Sequence, residues 1–318
     1  MVKISFLMAA HNEEKIIINA LENLSHLPCD SYEVILGLDG CSDRTLEIVQ
    51  SYKKKQPKIF HYYELNERKG KPAVINKIFP HAKGDIIILH DADWIFRVRS
   101  KESMDEFLSW FNDPQLGGVV ESYPIEWNTR LLQETKDWAY LASAYGTYHW
   151  LTFMKKKFSI TKDGIRYVDP ASKNLPFLCN VFRRELYAFN ETLADDFERS
   201  LDILQRGYDL RILDYPKQPR MIAGYTYQTF KDLTKQKTRT ARAREQVFAK
   251  YDLHVTFFNF YLPLLLYASF SSLKSLRLRN IIATHLWITF TLYGATKQLF
   301  TFEKKDTKES WLLRAQRQ

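Results

Sequence analysis

The first half of the chain alternates short, almost unbroken apolar runs with stretches whose apolar residues recur at helical spacing. Val2–Ala10, Glu33–Leu38, Ile59–Glu64 and Asp85–His90 read as buried strands, with Val119–Tyr123 a further one. Lys15–Leu24, Asp43–Lys53 and Pro72–Phe79 read as the helices between them. Strands alternating with helices predict an α/β fold with a mostly parallel sheet covered on both faces. In such sheets ligands lie beyond the carboxyl ends of the strands, so the chemistry is to be sought there.

Farther along, Asn128–Lys157 is a long helical stretch holding Trp138, Tyr140, Tyr145, Tyr148 and Trp150. Core packing is the plain reading of those rings, and an acceptor-stacking surface the sharper one. Thr161–Lys173 is polar and loop-like, Asp196–Gln205 reads as a helix closed by Gly207, and Leu210–Leu213 as a strand. After Lys250 the pattern changes. Leu253–Phe270 and Ile281–Ala295 are apolar and aromatic, separated by a connection carrying Lys274, Arg277 and Arg279. This divides the chain into a catalytic unit, 1–250, and an apolar helical region, 251–318.

Both apolar runs fall short of the roughly 20 residues a membrane-spanning helix needs, and they contain His254, Asn259 and His285. A spanning hairpin would also put the basic connection outside, against the positive-inside tendency. Helices lying in a membrane interface avoid the conflict, with Trp287 and the tyrosines at headgroup depth and the basic residues on phosphates. Two ordinary core helices covering the sheet are the plainer alternative.

Composition narrows the rest. With 318 residues, 45% of them hydrophobic, the chain can bury a sizeable core and is not disordered. A formal charge of +9 points to a polyanionic partner without choosing among nucleotide phosphates, anionic headgroups and nucleic acid. Cys29, Cys41 and Cys179 lack CxxC spacing, which argues against a disulfide framework or zinc cluster and fits a reducing compartment. Ile4–Ala10 runs straight into His11-Asn12-Glu13-Glu14 with no cleavage site, so the catalytic part is expected in the cytoplasm.

The sharpest chemical feature is the run Ile86–Leu89 followed by His90-Asp91-Ala92-Asp93. Carboxylates at i and i+2 fall on one side of an extended chain, and just past the strand end both are clear of the sheet and can share one task. Placed there, hard carboxylate oxygens suit Mg²⁺ or Mn²⁺ bridging to a diphosphate, while a solvated turn is the bland alternative. Asp39-Gly40-Cys41-Ser42-Asp43 again joins a strand to a helix. Asp43 suits the cap, leaving Asp39 to accept from a base or ribose. Ala10, Asn12 and Glu13 close the first strand at a helix start that favours anions. Arg68-Lys69-Gly70-Lys71 suits phosphate contact, or is an exposed basic turn. Asp195-Asp196 offers either a general base with a raised pKa or a helix cap. Lys231–Arg244 is a basic stretch containing Gln236-Lys237-Thr238-Arg239, whose plain reading is a solvated helix face.

Taken in order, AAHNEE, DGCSDRT, KGKPAVIN, HDAD, FRREL, TLADDFERSLDILQRGY and QKTRTARA resemble the family 2 glycosyltransferases, which have a GT-A fold, across about residues 2–245. The resemblance implies an inverting, metal-dependent transfer from a UDP- or GDP-sugar to a hydroxyl acceptor, lipid-linked or a growing glycan. It implies roles at matching positions only. Asp39 would hold the base, with Ala10, Asn12, Glu13 and Lys71 on the donor side. Asp91 would contact the donor and Asp93 ligate the metal. Asp196 would be the catalytic base, with Asp195 where Glu is usual. Gln236 and Arg239 match a QxxRW motif in which Thr240 stands where Trp is usual, so the resemblance supplies no aromatic floor for the acceptor there. A membrane-near acceptor would place the enzyme at the cytoplasmic face of the cell membrane.

Two other classes compete. A sugar-nucleotide nucleotidyltransferase would carry a glycine-rich loop where this chain has Asn12-Glu13-Glu14. A non-catalytic, membrane-docked nucleotide-sugar binder would have no reason to keep Asp39, Asp91, Asp93, Asp196 and Arg239 together. Nucleic-acid binding rests on charge alone and is not expected.

Overall fold

The computed structural model describes residues 3–121, 129–171, 177–189, 192–213, 218–224 and 228–300. The first half builds β1 (Ile4–Ala10), α1 (Ile17–Ser25), β2 (Tyr32–Asp39), α2 (Thr45–Lys55), β3 (Phe60–Leu65), α3 (Lys71–Ile78) and β4 (Ile86–Leu89). Then come β5 (Trp94–Arg97), α4 (Lys101–Ser109), β6 (Leu116–Glu121), α5 (Thr129–Glu134), α6 (Trp138–Lys157), β7 (Ser159–Lys162), β8 (Ile165–Val168) and β9 (Leu178–Arg183). The rest is α7 (Asp195–Gln205), β10 (Asp209–Leu213), β11 (Arg220–Ala223), α8 (Phe230–Lys250), α9 (Leu262–Lys274) and α10 (Leu278–Phe300), a π-helical turn at Phe257–Tyr261 preceding α9.

One large sheet has the order β3-β2-β1-β4-β9-β6-β10-β8-β7. Strands β3, β2, β1, β4, β6, β10 and β7 run one way, and β9 and β8 the other. The sheet is therefore mostly parallel, as the alternation of strands and helices predicts. Successive side chains on β1 part to opposite faces. Leu7 joins the core under α3, α6 and α7, while Phe6 and Met8 join the one under α1, α2 and α4. A small β5–β11 ribbon lies apart from this sheet and follows the aspartates after β4.

Several expectations need correction. Thr161–Lys173, polar and loop-like in sequence, holds the end of β7, the turn and all of β8, a hairpin turned by Asp163 and Gly164, both at positive φ. Asp-Gly is the residue pair a two-residue turn of that kind favours, so the polar composition hid a legible hairpin; residues 172 and 173 lie outside the described residues. The antiparallel β9, wedged between β4 and β6, was not foreseen. The final residues of the Val119–Tyr123 segment and Asn128 also lie outside the described residues. The long aromatic helix breaks before α6, where Asp137 caps by accepting from Tyr140 N at 2.9 Å. Tyr140 and Trp150 are buried in the core, whereas Tyr148 is exposed.

Trp287 does not sit at an outer surface. It is buried, and an added Cβ on Gly146 would fall 2.0 Å from its ring. Helix α10 thus seats its indole flat on α6, and Phe260, Leu264, Leu265 and Ala268 enter the same core. Arg279 is likewise turned inward, donating to the carbonyls of Gln133 and Thr135. Gly146→Val should therefore cost about 1–3 kcal/mol through overpacking, read as a lower thermal midpoint; an unchanged midpoint would mean that α10 is not seated there. The turn joining α9 to α10 is open and partly apolar: Leu276 is 89% and Leu278, the first residue of α10, 72% exposed, beside the exposed Lys274 and Arg277. Among the described residues no helix is long and apolar enough to cross a membrane.

Candidate active site

Because β1, β2, β4 and β6 are parallel, their carboxyl ends, at Ala10, Asp39, Leu89 and Glu121, meet at one edge of the sheet. The two loops on the β1–β2 side are stapled together. Asn12, at φ 53°, accepts from Ser42 N at 2.8 Å and donates to Ser42 Oγ at 3.1 Å. Glu13 N donates to Thr45 Oγ1, and Glu14 N to Asp43 Oδ2, while Asp43 Oδ1 accepts from Thr45 N at the turn into α2. Burial works against ionisation of Asp43, but the hydrogen bonds from Thr45 and Glu14 N outweigh it and hold its pKa below the usual carboxylate range. Ala10 is buried, so what it can present to a ligand is main chain.

Asp39 is buried, and both its oxygens are engaged: Oδ1 accepts from Lys69 N at 2.6 Å and Oδ2 from Gly70 N at 2.8 Å. The expectation that Asp39 stands free for a base is thereby modified. Its carboxylate first fixes the Lys69-Gly70-Lys71 turn, and a ligand would have to use its remaining lone pairs. Gly40, at φ 61°, lets β2 approach that turn closely, since a Cβ there would lie 2.8 Å from Arg68 N.

The turn so fixed aims Lys71 into the middle of the edge. Its Nζ lies 2.8 Å from Asp91 Oδ1 and 3.5 Å from Asp195 Oδ2. Asp91 and Asp93 follow β4, as the strand-end argument requires, and Asp93 is half-buried with its carbonyl accepting from Gly224 N at 2.8 Å. Neither Asp195 nor Asp196 is the N-cap of α7; Ala194 holds that position without a side-chain cap. Both acids lie in the first turn, where the helix dipole favours negative charge.

The two carboxyls diverge chemically. Burial opposes ionisation of Asp195, yet Lys71 and Arg199 prevail and hold its pKa down. Asp196 is raised to about 6, by burial and then by the charge of Asp195. Paired carboxyls with opposed shifts suit one permanent anion and one exchangeable proton.

Sequence reasoning missed two members of this cluster. Glu121, at the end of β6, is buried and accepts from Met221 N at 3.2 Å. Burial chiefly, with Asp196 and Asp91 adding, pushes it up to about 7 against the opposing pull of Met221 N and Arg220. The sequence reading of a strand over Val119–Tyr123 put Glu121 inside the strand, so the strand-end rule that found Asp91 passed it by. Arg199 lies one turn after Asp195, a spacing visible in the sequence, but its burial was not. Gln236 and Arg239 share a face of α8. Gln236 Oε1 accepts from Gln228 Nε2 at 3.3 Å, and Arg239 is half-buried.

Among the described residues no three His, Cys, Asp or Glu are arranged to hold a metal ion. Asp91 and Asp93 still supply hard oxygen donors past a strand end. Mg²⁺ is commonly held by one or two carboxylates plus substrate phosphates, so this donor set fits an ion that arrives with a diphosphate.

The sequence profile described as glycosyl transferase family 2 matches residues 5–188. The probable glycosyltransferase YdaM of Bacillus subtilis (strain 168) is 27% identical over 269 residues, covering 78% of this chain and 57% of that protein. The poly-beta-1,6-N-acetyl-D-glucosamine synthase of Staphylococcus aureus (strain COL) is 34% identical over 117 residues, 37% of this chain and 27% of the synthase. The chain thus spans little more than half of the first relative and a smaller part of the second. In fold it resembles the mannosyltransferase PcManGT from Pyrobaculum calidifontis, solved in complex with GDP-Man and Mn²⁺. The TM-score is 0.56 at 16% identity, with 95% of this chain and 88% of that one covered.

Proposed function

The chain belongs to glycosyl transferase family 2, and on that premise we propose that it is an inverting, metal-dependent enzyme moving a sugar from a UDP- or GDP-sugar to a hydroxyl acceptor. The observation that carries this reading is the meeting of Asp91 and Asp195 across Lys71, with Asp196 beside them carrying a raised pKa. Donor-side and acceptor-side acids are thereby held at one strand edge. Asp196 takes the acceptor proton as the hydroxyl oxygen attacks the anomeric carbon from the side opposite the diphosphate. The carbon–oxygen bond to the diphosphate breaks as the new one forms, so the configuration inverts. Lys71 and Arg239 offset charge on the departing diphosphate, with Gln236 orienting beside Arg239. Asp91 and Asp93 would hold Mg²⁺ or Mn²⁺, which when bound neutralises the same charge. Ala10, Asn12, Glu13 and Asp39 shape the base and ribose side. A panel of nucleotide-sugars with Mn²⁺, scored by release of nucleoside diphosphate, tests the reading; GDP-Man, the donor bound to PcManGT, is a natural first member. Release from no member would overturn it.

In this reading residues 1–250 are the catalytic unit and 251–318 bring it to the cytoplasmic face of a membrane, where a lipid-linked acceptor or growing glycan resides. The supporting feature is the exposed turn between α9 and α10, in which Leu276 and Leu278 lie beside Lys274 and Arg277. Apolar side chains flanked by cations match an anionic lipid surface. Full-length protein should therefore sediment with vesicles containing anionic lipid. Leu276→Glu with Leu278→Glu should lower the bound fraction about tenfold or more, without unfolding, because both side chains are exposed. Wild-type protein left in the supernatant would end the membrane assignment.

A further inference from the structure

We infer that Arg199 is the positioning residue of the acid pair at the head of α7: its buried guanidinium fixes Asp195 as a permanent anion and so leaves Asp196 as the member that exchanges a proton with the acceptor. The inference rests on the proposed role of Asp196.

The geometry is specific. Arg199 is 2% exposed, so it is out of reach of a substrate in the edge above. Its Nη2 lies 3.2 Å from Asp195 Oδ2, its Nη1 donates to the Cys179 carbonyl at 2.6 Å, and its plane sits 4.9 Å from the Phe182 ring centre. One side chain therefore ties the first turn of α7 to β9, the antiparallel strand between β4 and β6. Taking a guanidinium out of water is costly, and apolar residues commonly fill such a space with no loss of stability. A planar donor fork does what they cannot: it fixes the direction of a carboxylate.

The surroundings give this pairing a consequence. Lys71 from α3 also faces Asp195, but in the proposed reading it serves the donor diphosphate. Arg199 is then the cation that stays with Asp195 through a turnover. Asp91, beyond β4, adds negative charge to the same cluster, Glu121, at the end of β6, faces Asp196 with its carboxyl pushed up to about 7, and Cys179 of β9 is a neutral thiol pushed up to about 12 chiefly by burial. Asp195 held low beside Asp196 held high is the outcome this arrangement produces. The pair titrates as a unit, so removing the guanidinium should raise its apparent pKa, and neutralising Asp195 should lower it.

The test is the pH dependence of kcat/KM for wild type, Arg199→Gln, Arg199→Lys and Asp195→Asn, together with donor KM. Arg199→Gln should lower kcat about 10- to 100-fold with donor KM little changed, and should move the acidic limb upward by about one pH unit. Arg199→Lys, which keeps the charge but loses the fork, should hold the limb near wild type with intermediate kcat. Asp195→Asn should move the limb downward. A merely structural Arg199 would lower thermal stability while leaving the limb and kcat in place, and that result overturns the inference. If Arg199→Gln does not fold, an unmoved limb in Asp195→Asn overturns it equally. Failure of the underlying reading looks different: Asp196→Asn would then turn over normally.

Discussion

Asp196→Asn is expected to lower kcat by about 10²- to 10⁴-fold, the usual worth of a general base, while donor binding stays intact. The expectation follows from position. Asp196 follows the Asp195 that Lys71 and Arg199 hold anionic, and its own pKa is raised by burial and by that neighbour's charge. A carboxyl raised to about 6 is ionised at neutral pH yet basic enough to take a hydroxyl proton. The sign for pH follows directly. A base must be deprotonated to act, so kcat/KM should fall as pH drops through about 6, rather than near the ordinary carboxylate value. Asparagine preserves shape and cannot accept the proton, so calorimetry with the donor nucleotide separates the two roles. If binding and turnover fall together, Asp196 is holding the donor or the fold instead.

In the proposed mechanism, withholding the divalent metal should be comparably severe. Chelation should reduce transfer by at least about 10²-fold, with recovery on adding Mn²⁺, because a departing diphosphate develops charge that Lys71 and Arg239 cannot offset alone. Asp93→Ala should reproduce the loss in the presence of excess metal. Alanine keeps the main-chain carbonyl of Asp93 that accepts from Gly224 N on the β5–β11 side, and a thermal midpoint near wild type would show that the loss is not one of folding. Full turnover in chelator would remove the metal from the mechanism and return Asp91 and Asp93 to a turn.

Much of the site was legible because strand ends are local features. Ile86–Leu89 is an unbroken apolar run, so the carboxylates after it had to lie past the sheet, and parallel strands bring such ends to one edge. The same reasoning placed Asp39 at the end of β2. It gave no hint that the carboxylate of Asp39 is spent on Lys69 N and Gly70 N, because those donors come from a turn thirty residues on whose path depends on β3 and α3. The β7–β8 hairpin was hidden by polar composition on an edge strand, where half the side chains face water.

The sequence by itself determined the α/β architecture, the order of its acidic strand ends and the family resemblance. All three are written in local periodicity, 2 for strands and 3.6 for helices, and in short motifs. Tertiary structure decided which side of a helix meets the rest. Asp195 and Arg199 are neighbours on any helix, but only the packing of α7 on β9 buries the guanidinium and gives it the Cys179 carbonyl. Lys71 reaches Asp91 and Asp195 from a segment distant from both in sequence, a meeting set by sheet order. Helices α9 and α10 are apolar nearly all round, so their pattern names no inner face. Shape named it: the space over Gly146 on α6 takes the Trp287 indole, which is thereby buried.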